Sequence, residues 1–162
     1  MKLRRLKLCD ADRMLEWMHD SSVVEYLQAD FKDKTINDCY NFIKNSYSDS
    51  CIHMAITDDN DLYMGTVSLK NITKDAAEFA ITVHRDAMGK GYAIWAMKKM
   101  IDNGFTKLNL KSIYWCVSQS NHRALRFYDK NGYSRTDACE INVIGYFKEQ
   151  INSYIWYHVL NN

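Results

Sequence analysis

The chain has 162 residues, of which 47% are apolar and 25% charged, and its formal net charge is +1. This length suits one domain with a buried core, so we predict a single domain over residues 1–162. The balanced charge gives no sign of the basic face on which nucleic-acid binding depends. No apolar run approaches the ~20 residues of a membrane span, so neither nucleic acid nor a membrane is an expected partner.

Cysteine and histidine usage indicates a reducing compartment and no metal. The five cysteines are scattered and form no CxxC pair, so free thiols are expected instead of disulfides or a structural zinc site. His19, His53, His122 and His158 are equally dispersed. Residues 1–7 carry charge but precede no apolar stretch, unlike a secretory signal. We therefore expect a soluble cytoplasmic protein.

The first half of the chain begins with helical patterns. A short strand is predicted over residues 2–7, a helix over 10–17 and a turn over 21–26. Thr35 then caps a helix whose apolar residues recur at helical spacing.

The middle of the chain has the patterns of strands. Three strands are predicted over residues 51–57, 62–69 and 78–83, separated by turns rich in Asp and Asn. We expect these strands to form an antiparallel meander.

The second half alternates helices and strands. A glycine-bearing loop at 86–91 precedes a helix over 92–103, which we expect Gly104 to cap. A strand over 112–117, a helix over 121–130 and two strands after Tyr133 follow, the last at 154–159. The order predicts an α/β fold with a mixed sheet flanked by helices.

The segment from Val83 to Ala93 is the most informative, because a strand, a loop and a long helix follow one another. The first N–H groups of a helix lack helical partners and carry partial positive charge. Gly89 and Gly91 would let a diphosphate approach these amides, and Lys90 adds charge. The alternative is that the glycines only shape a tight turn, which Gly-x-Gly alone favours.

A second motif begins at Asn121. Together the two segments resemble the GNAT superfamily of N-acetyltransferases. The family's pyrophosphate motif, Arg/Gln-x-x-Gly-x-Gly/Ala, is matched by residues 88–93, except that Met88 stands at the Arg/Gln position. The family's later motif is matched by Asn121, Ala124, Tyr128, Gly132 and Tyr133.

The resemblance implies a GNAT-like fold with a mostly antiparallel sheet and a binding site for acetyl-CoA as co-substrate, without a metal. The implied cofactor-binding residues are Ile81, Val83, Met88, Gly89, Lys90, Gly91, Tyr92, Ala93, Asn121 and Tyr128. In this scheme the strand ending at Val83 hydrogen-bonds the pantetheine arm and supplies an oxyanion donor. Met88 implies weakened or rearranged phosphate contacts, for which Lys90 or Arg85 would compensate.

The implied reaction is direct attack of an amine on the thioester. Because alkylammonium pKa values lie near ~10, a general base would help, and Glu78 is our candidate. Tyr128 would sit beside the sulfur and protonate the leaving thiolate. A solvated carboxylate is the alternative for Glu78, helix packing for Tyr128, and helix capping for Asn121. His84 could reach the site but is more simply structural, and Cys116, in a strand predicted to be buried, is rejected as a nucleophile.

The acceptor is expected to be a small amine. The N-terminal half, which builds the acceptor side in this family, is similar to members that acetylate nucleotide-linked amino-sugars or ribosomal-protein N-termini. A basic protein tail would need gathered acids, which the loop aspartates do not clearly provide, so we favour an amino-sugar, with Trp17 and Tyr26 lining the pocket. A non-catalytic acetyl-CoA-binding module remains the alternative, although Tyr128 with Glu78 favours an enzyme. A homodimer stays open.

Overall fold

The computed structural model describes residues 1–141 and 143–161. The helices and strands of this part of the chain follow in the order β1 (Lys2–Arg5), α1 (Ala11–Met18), α2 (Ser21–Val24), α3 (Ile36–Lys44), β2 (Ile52–Thr57), β3 (Tyr63–Lys70), β4 (Ala76–Val83), α4 (Tyr92–Lys107), β5 (Ser112–Ser118), α5 (His122–Lys130), β6 (Ser134–Thr136), α6 (Lys148–Ser153) and β7 (Tyr154–Leu160).

The strands form one mixed sheet in the order β1-β2-β3-β4-β5-β7-β6. The β1 to β4 half is antiparallel, as the predicted meander requires. The turn between β2 and β3 is held by the Asp58 side chain, whose Oδ1 accepts the N–H groups of Asn60 and Leu62 at 2.9 and 2.8 Å. The predicted α/β class and mixed sheet are confirmed.

The parallel pairing of β4 with β5 is short. It joins Ala76 to Ser112, Ala77 to Ile113 and Glu78 to Tyr114, whereas β4 continues to Val83 and β5 to Ser118. Beyond Glu78 the two strands therefore diverge, and the described residues leave an opening in the middle of the sheet. We call this opening the β4–β5 gap.

The two faces of the sheet carry different helices. On one face α4 and α5 pack on a core with Trp115 at its centre, stacked on Tyr157 with ring centroids 5.6 Å apart. On the other face α1 and α3 cover a second core that contains Met14, Trp17 and Tyr63. Because side chains alternate along a strand, β4 sends Phe79 to the α4 face while its neighbour Glu78 points to the α1 face.

Some sequence predictions were wrong in detail. Gly104 does not cap α4: it lies buried inside the helix, which continues to Lys107. A Cβ at Gly104 would lie 2.6 Å from Ile113 Cδ1, so the glycine lets α4 approach β5 closely. The turn at 21–26 contains the short helix α2, whose cap is Asp20, and α6 was not predicted.

The predicted cap of α3 was confirmed. Thr35 caps α3 in a reciprocal capping box with Asp38. The five cysteines are free thiols. Within residues 1–141 and 143–161, each helix is too short or too polar to cross a membrane.

Candidate active site

The β4–β5 gap opens into a cavity of about 280 Å³. Its walls come from both strands, from α5 and from the loop after α2. On the α4 face they include Ile81, Trp115 and Tyr128, and on the α1 face Tyr26 and Gln28. The cavity thus passes from one face of the sheet to the other, which suits a long, narrow ligand with its reactive end inside the sheet.

The glycine loop lies directly after β4. A short turn, Arg85–Ala87, leads to Gly89 and Gly91, whose φ angles are 73° and 82°. Gly91 is the N-cap residue of α4, so the free amides of the first helical turn follow it immediately. A Cβ built at either glycine meets nothing within 4 Å, so the outer side of the loop is open. This arrangement fits a diphosphate.

The cations near this loop differ in availability. Lys90 is exposed beside the two glycines. Arg85 forms an ion pair with Asp20 at 3.1 Å. Of the two residues expected to compensate for Met88, Lys90 is therefore the one whose side chain is open to a ligand.

His84 connects the glycine loop to α1. It is buried, and its Nδ1 accepts the Asp86 N–H at 3.2 Å and lies 3.1 Å from an Arg13 guanidinium nitrogen. Its Nε2 lies 2.9 Å from the Glu16 carboxylate. These contacts join α1 to the loop. The position of His84 therefore agrees with the structural role that the sequence favoured for it.

Tyr128 and Asn121 both belong to α5 or its cap, and both line the gap. Asn121 Oδ1 accepts the Ala124 N–H at 3.0 Å, so the expected capping role is present together with a position at the gap. Tyr128 is buried, with its ring 5.3 Å from that of Trp115. Burial raises the pKa of Tyr128 above its usual value, which keeps the hydroxyl protonated at neutral pH.

Glu78 is not a solvated carboxylate, which was the alternative interpretation of this residue from the sequence. It is 3% exposed and lines the gap from the α1 face. Its Oε1 accepts from Tyr146 Oη at 2.7 Å and lies 2.9 Å from Lys70 Nζ, while Oε2 accepts from Asn71 Nδ2 at 2.9 Å. The carboxylate is therefore held in one orientation by three partners.

Sequence reasoning did not find these partners of Glu78. Lys70 lies opposite Glu78 in the β3–β4 register, so a correct register alone could have shown that pair. Tyr146 comes from the segment before α6 and has no local signal that connects it to β4.

Tyr146 also meets Gln28 and Cys116 at the edge of the gap. Gln28 Nε2 donates to Cys116 Sγ and to Tyr146 Oη, both at 3.0 Å. Cys116 is half-buried and lines the gap, although its strand was predicted to be buried. Burial raises its pKa to about 11, which supports the rejection of this thiol as a nucleophile.

A second cavity of about 320 Å³ lies on the α1 face, and we call it the aromatic cavity. Trp17, Phe31 and Phe42 line it. It adjoins the gap, because the residues Phe31, Lys70, Ala80, Ile81 and Thr82 line both. Of the two residues expected at the acceptor pocket, Trp17 lines the aromatic cavity and Tyr26 the gap.

Residues 1–134 match the family model of the acetyltransferase (GNAT) domain. The chain belongs to the GNAT family. It is 36% identical over 84 residues to a spermidine N(1)-acetyltransferase of Escherichia coli K12, which covers 51% of this chain and 45% of that protein. The chain thus aligns with about half the length of this curated relative. It is also 27% identical over 141 residues to the uncharacterized N-acetyltransferase p20 of Bacillus licheniformis, covering 83% and 79%.

Solved structures show the same fold. The spermidine N-acetyltransferase of Vibrio cholerae, in a complex with CoA and spermine, superposes with a TM-score of 0.79 and 21% identity. The match covers 98% of this chain and 94% of that protein. The GNAT fold expected from the two motifs is confirmed. Among the described residues, no group of three or more His, Cys, Asp or Glu could hold a metal ion.

Proposed function

We propose that this GNAT-family chain transfers an acetyl group from acetyl-CoA to a small primary amine by direct attack. The observation that carries this proposal is the β4–β5 gap, with the open glycine loop at one end and Tyr128 in its wall. Acetyl-CoA would supply the activated acyl group as a thioester.

The chain's own residues would hold this co-substrate along the diverging strand. The free backbone of β4 at Ile81 and Val83 would hydrogen-bond the pantetheine arm in the manner of an added strand. The amides at Gly89, Gly91 and the start of α4 would bind the diphosphate, with Lys90 as a movable counter-charge. The neighbouring positions Met88, Tyr92, Ala93 and Asn121 complete the proposed set.

Two side chains would move protons. The amine nitrogen bonds to the acyl carbon and loses a proton to Glu78, directly or through one water, while the carbon–sulfur bond breaks. Tyr128, protonated at neutral pH, would donate its proton to the leaving sulfur. Lys70, Asn71 and Tyr146 would keep the Glu78 carboxylate aimed at the gap.

The surroundings of the gap support a small acceptor over a protein tail. The β2–β3 turn aspartates are paired at a distant edge, Asp59 with the N-terminal amine and Asp61 with Arg4 and Lys7. Asp30 and Asp33 line neither cavity. These aspartates therefore form no acidic groove for a basic peptide along the two cavities. The nucleotide-linked amino-sugar favoured by the sequence remains a prediction within the class of small amines.

The test is the release of free thiol from acetyl-CoA with a panel of acceptors. The panel contains a nucleotide-linked amino-sugar, simple alkylamines, spermidine and peptides with ribosomal-protein N-termini. We expect amine-dependent release with at least one small amine and none with the peptides. Calorimetric binding of acetyl-CoA without release for any acceptor would instead show the non-catalytic module, and release only with peptides would show a protein N-terminal acetyltransferase.

A further inference from the structure

The charges around the aromatic cavity indicate what kind of amine fits there. Of the described residues that line it, the charged ones are Lys34, Asp38 and Lys70, and Lys70 is paired with Glu78 at 2.9 Å. The rest of the wall is mainly aromatic and aliphatic, with Trp17 and Phe31 in edge-to-face contact at 5.2 Å.

The carboxylate of Asp38 already takes part in capping α3. Its Oδ2 accepts the backbone N–H of Thr35 at 2.8 Å and the Thr35 hydroxyl at 2.7 Å. The hydrogen bond from the Thr35 hydroxyl is the main cause that lowers the pKa of Asp38 below its usual value, and the hydrogen bond from the Thr35 backbone N–H is the second. Asp38 thus stays ionised as the capping partner of α3, next in space to the positive charge of Lys34.

The carboxylate in the wall of the gap is Glu78, the proposed base for the reacting nitrogen, so it does not serve a second ammonium group. Glu78 accepts from Asn71 and Tyr146 and is paired with Lys70. The side chain of Lys70 is 35% exposed and lines both cavities, so its positive charge lies where an acceptor must pass.

His53 adds a neutral polar group to the cavity wall. Its Nδ1 lies 2.7 Å from Ser68 Oγ, and its ring packs 4.7 Å from that of Phe42. Burial, followed by the charge of Lys70, lowers the pKa of His53 to about 4, so the imidazole is uncharged at neutral pH.

A second ammonium group on the acceptor would be badly placed in these surroundings. A buried cation needs a carboxylate that is not already matched, and here Asp38 lies beside Lys34 while Glu78 is paired with Lys70. We propose that the acceptor is a primary monoamine without a second cationic group and that the aromatic cavity discriminates against polyamines. This inference rests on the proposed acetyl transfer, and it separates the chain from relatives named for spermidine.

The size of the cavity agrees with this class. Small-molecule sites usually enclose roughly 300–1,000 Å³, and the aromatic cavity, at about 320 Å³, lies at the lower end. It can hold the amine-bearing part of an acceptor, while a nucleotide on an amino-sugar would have to extend outside. A negative group at that position would meet Lys34 favourably.

The test compares two acceptors that differ by one amino group, hexylamine and hexamethylenediamine, in the thiol-release assay. We expect kcat/KM for the monoamine to exceed that for the diamine by about tenfold or more, because the second cation meets Lys34 and finds no unmatched carboxylate among the described residues that line the cavity. The kcat/KM for spermidine should be no higher than that for the diamine. The variant Lys34→Glu should reduce the preference several-fold by converting one repulsive charge to an attractive one.

Lys44→Glu provides the matched control. It makes the same charge change at an exposed position of α3 that lies outside both cavity linings, so the preference should not change. Equal or better turnover of the diamine and spermidine by the wild type would overturn the monoamine inference and leave the acetyl-transfer proposal intact. Thiol release with none of the amines would overturn both.

Discussion

The two sides of the β4–β5 gap are built in different ways. The phosphate end of the cofactor side is formed by neighbouring residues, 83–93, and offers backbone amides at two glycines of positive φ. The acceptor side brings together side chains from separate segments, among them Gln28, Lys70, Glu78 and Tyr146. A backbone site depends on local geometry, whereas a side-chain site depends on the whole tertiary fold. Substitutions at the glycine loop should therefore impair mainly cofactor binding, whereas substitutions on the acceptor side should change both rate and stability.

The largest effect is expected at the glycine loop. Gly91→Val places a branched side chain in the open space where a diphosphate would approach, so binding of coenzyme A should fall below detection in a calorimetric titration. Gly132→Val is the control. Gly132 has a φ of 79° and equally open surroundings, so it shares the backbone strain of about 1–2 kcal/mol without touching the loop. Similar binding losses in the two variants would place the phosphate site elsewhere.

Tyr128→Phe should change the rate and leave cofactor binding intact. Loss of the proton donor should lower kcat by up to about 10²-fold, since a thiolate is a fair leaving group without help. Because burial raises the pKa of Tyr128, the donor stays protonated, and its contribution should persist through the usual tyrosine pKa near 10 and be lost only above it.

The control for Tyr128 is its aromatic neighbour. The ring of Tyr133 lies 6.2 Å from that of Tyr128, but Tyr133 does not line the gap. Tyr133→Phe should keep the wild-type kcat and the wild-type pH profile. An unchanged kcat in Tyr128→Phe would remove the acid role from this residue.

On the acceptor side, Glu78→Gln should alter both rate and stability. Removing the proton acceptor should lower kcat roughly 10- to 100-fold. Leaving Lys70 without its partner should also cost about 1–3 kcal/mol of unfolding free energy, less than for a fully buried pair because Lys70 reaches solvent. Tyr146→Phe is the comparison, since it removes the hydroxyl that donates to Glu78 and accepts from Gln28 and keeps the carboxylate. If the two variants lose stability but keep kcat, Glu78 is structural.

The smallest effect is expected at the contact between the C-terminal part of α4 and β5. Gly104→Ala brings a methyl group to 2.6 Å from Ile113 Cδ1 and should lower the unfolding free energy by about 1 kcal/mol, the crowding being partly offset by alanine's helix propensity. Adding Ile113→Val removes that methyl contact and should recover part of the loss in a denaturant titration. A stabilised Gly104→Ala would show that the contact has room for alanine.

Much of the cofactor side could be predicted from the sequence because its signals are local. Gly89 and Gly91 mark a turn, Asn121 marks a helix cap, and the two motifs together identify the family. Gly104 shows the limit of local reasoning, since the same residue suits a helix end or a close helix–strand contact, and only the packing on Ile113 decides.

The acceptor side could not be assembled from the sequence. Glu78 was found from its strand, but its environment depends on Tyr146, which lies 68 residues away and outside the part matched by the family model. The aromatic cavity likewise joins Trp17 on α1, Phe42 on α3 and His53 on β2, whose meeting requires the complete sheet. Periodicity predicted most of the elements, but it did not show which side chains would line the same cavity.

The location of the thioester is tested most directly by a crystal structure of the chain with coenzyme A. We expect density for the diphosphate on the amides of Gly89 and Gly91, pantetheine along β4, and the sulfur within hydrogen-bond reach of the Tyr128 hydroxyl. Density for the diphosphate away from this loop, or a sulfur that lies outside the β4–β5 gap, would contradict it.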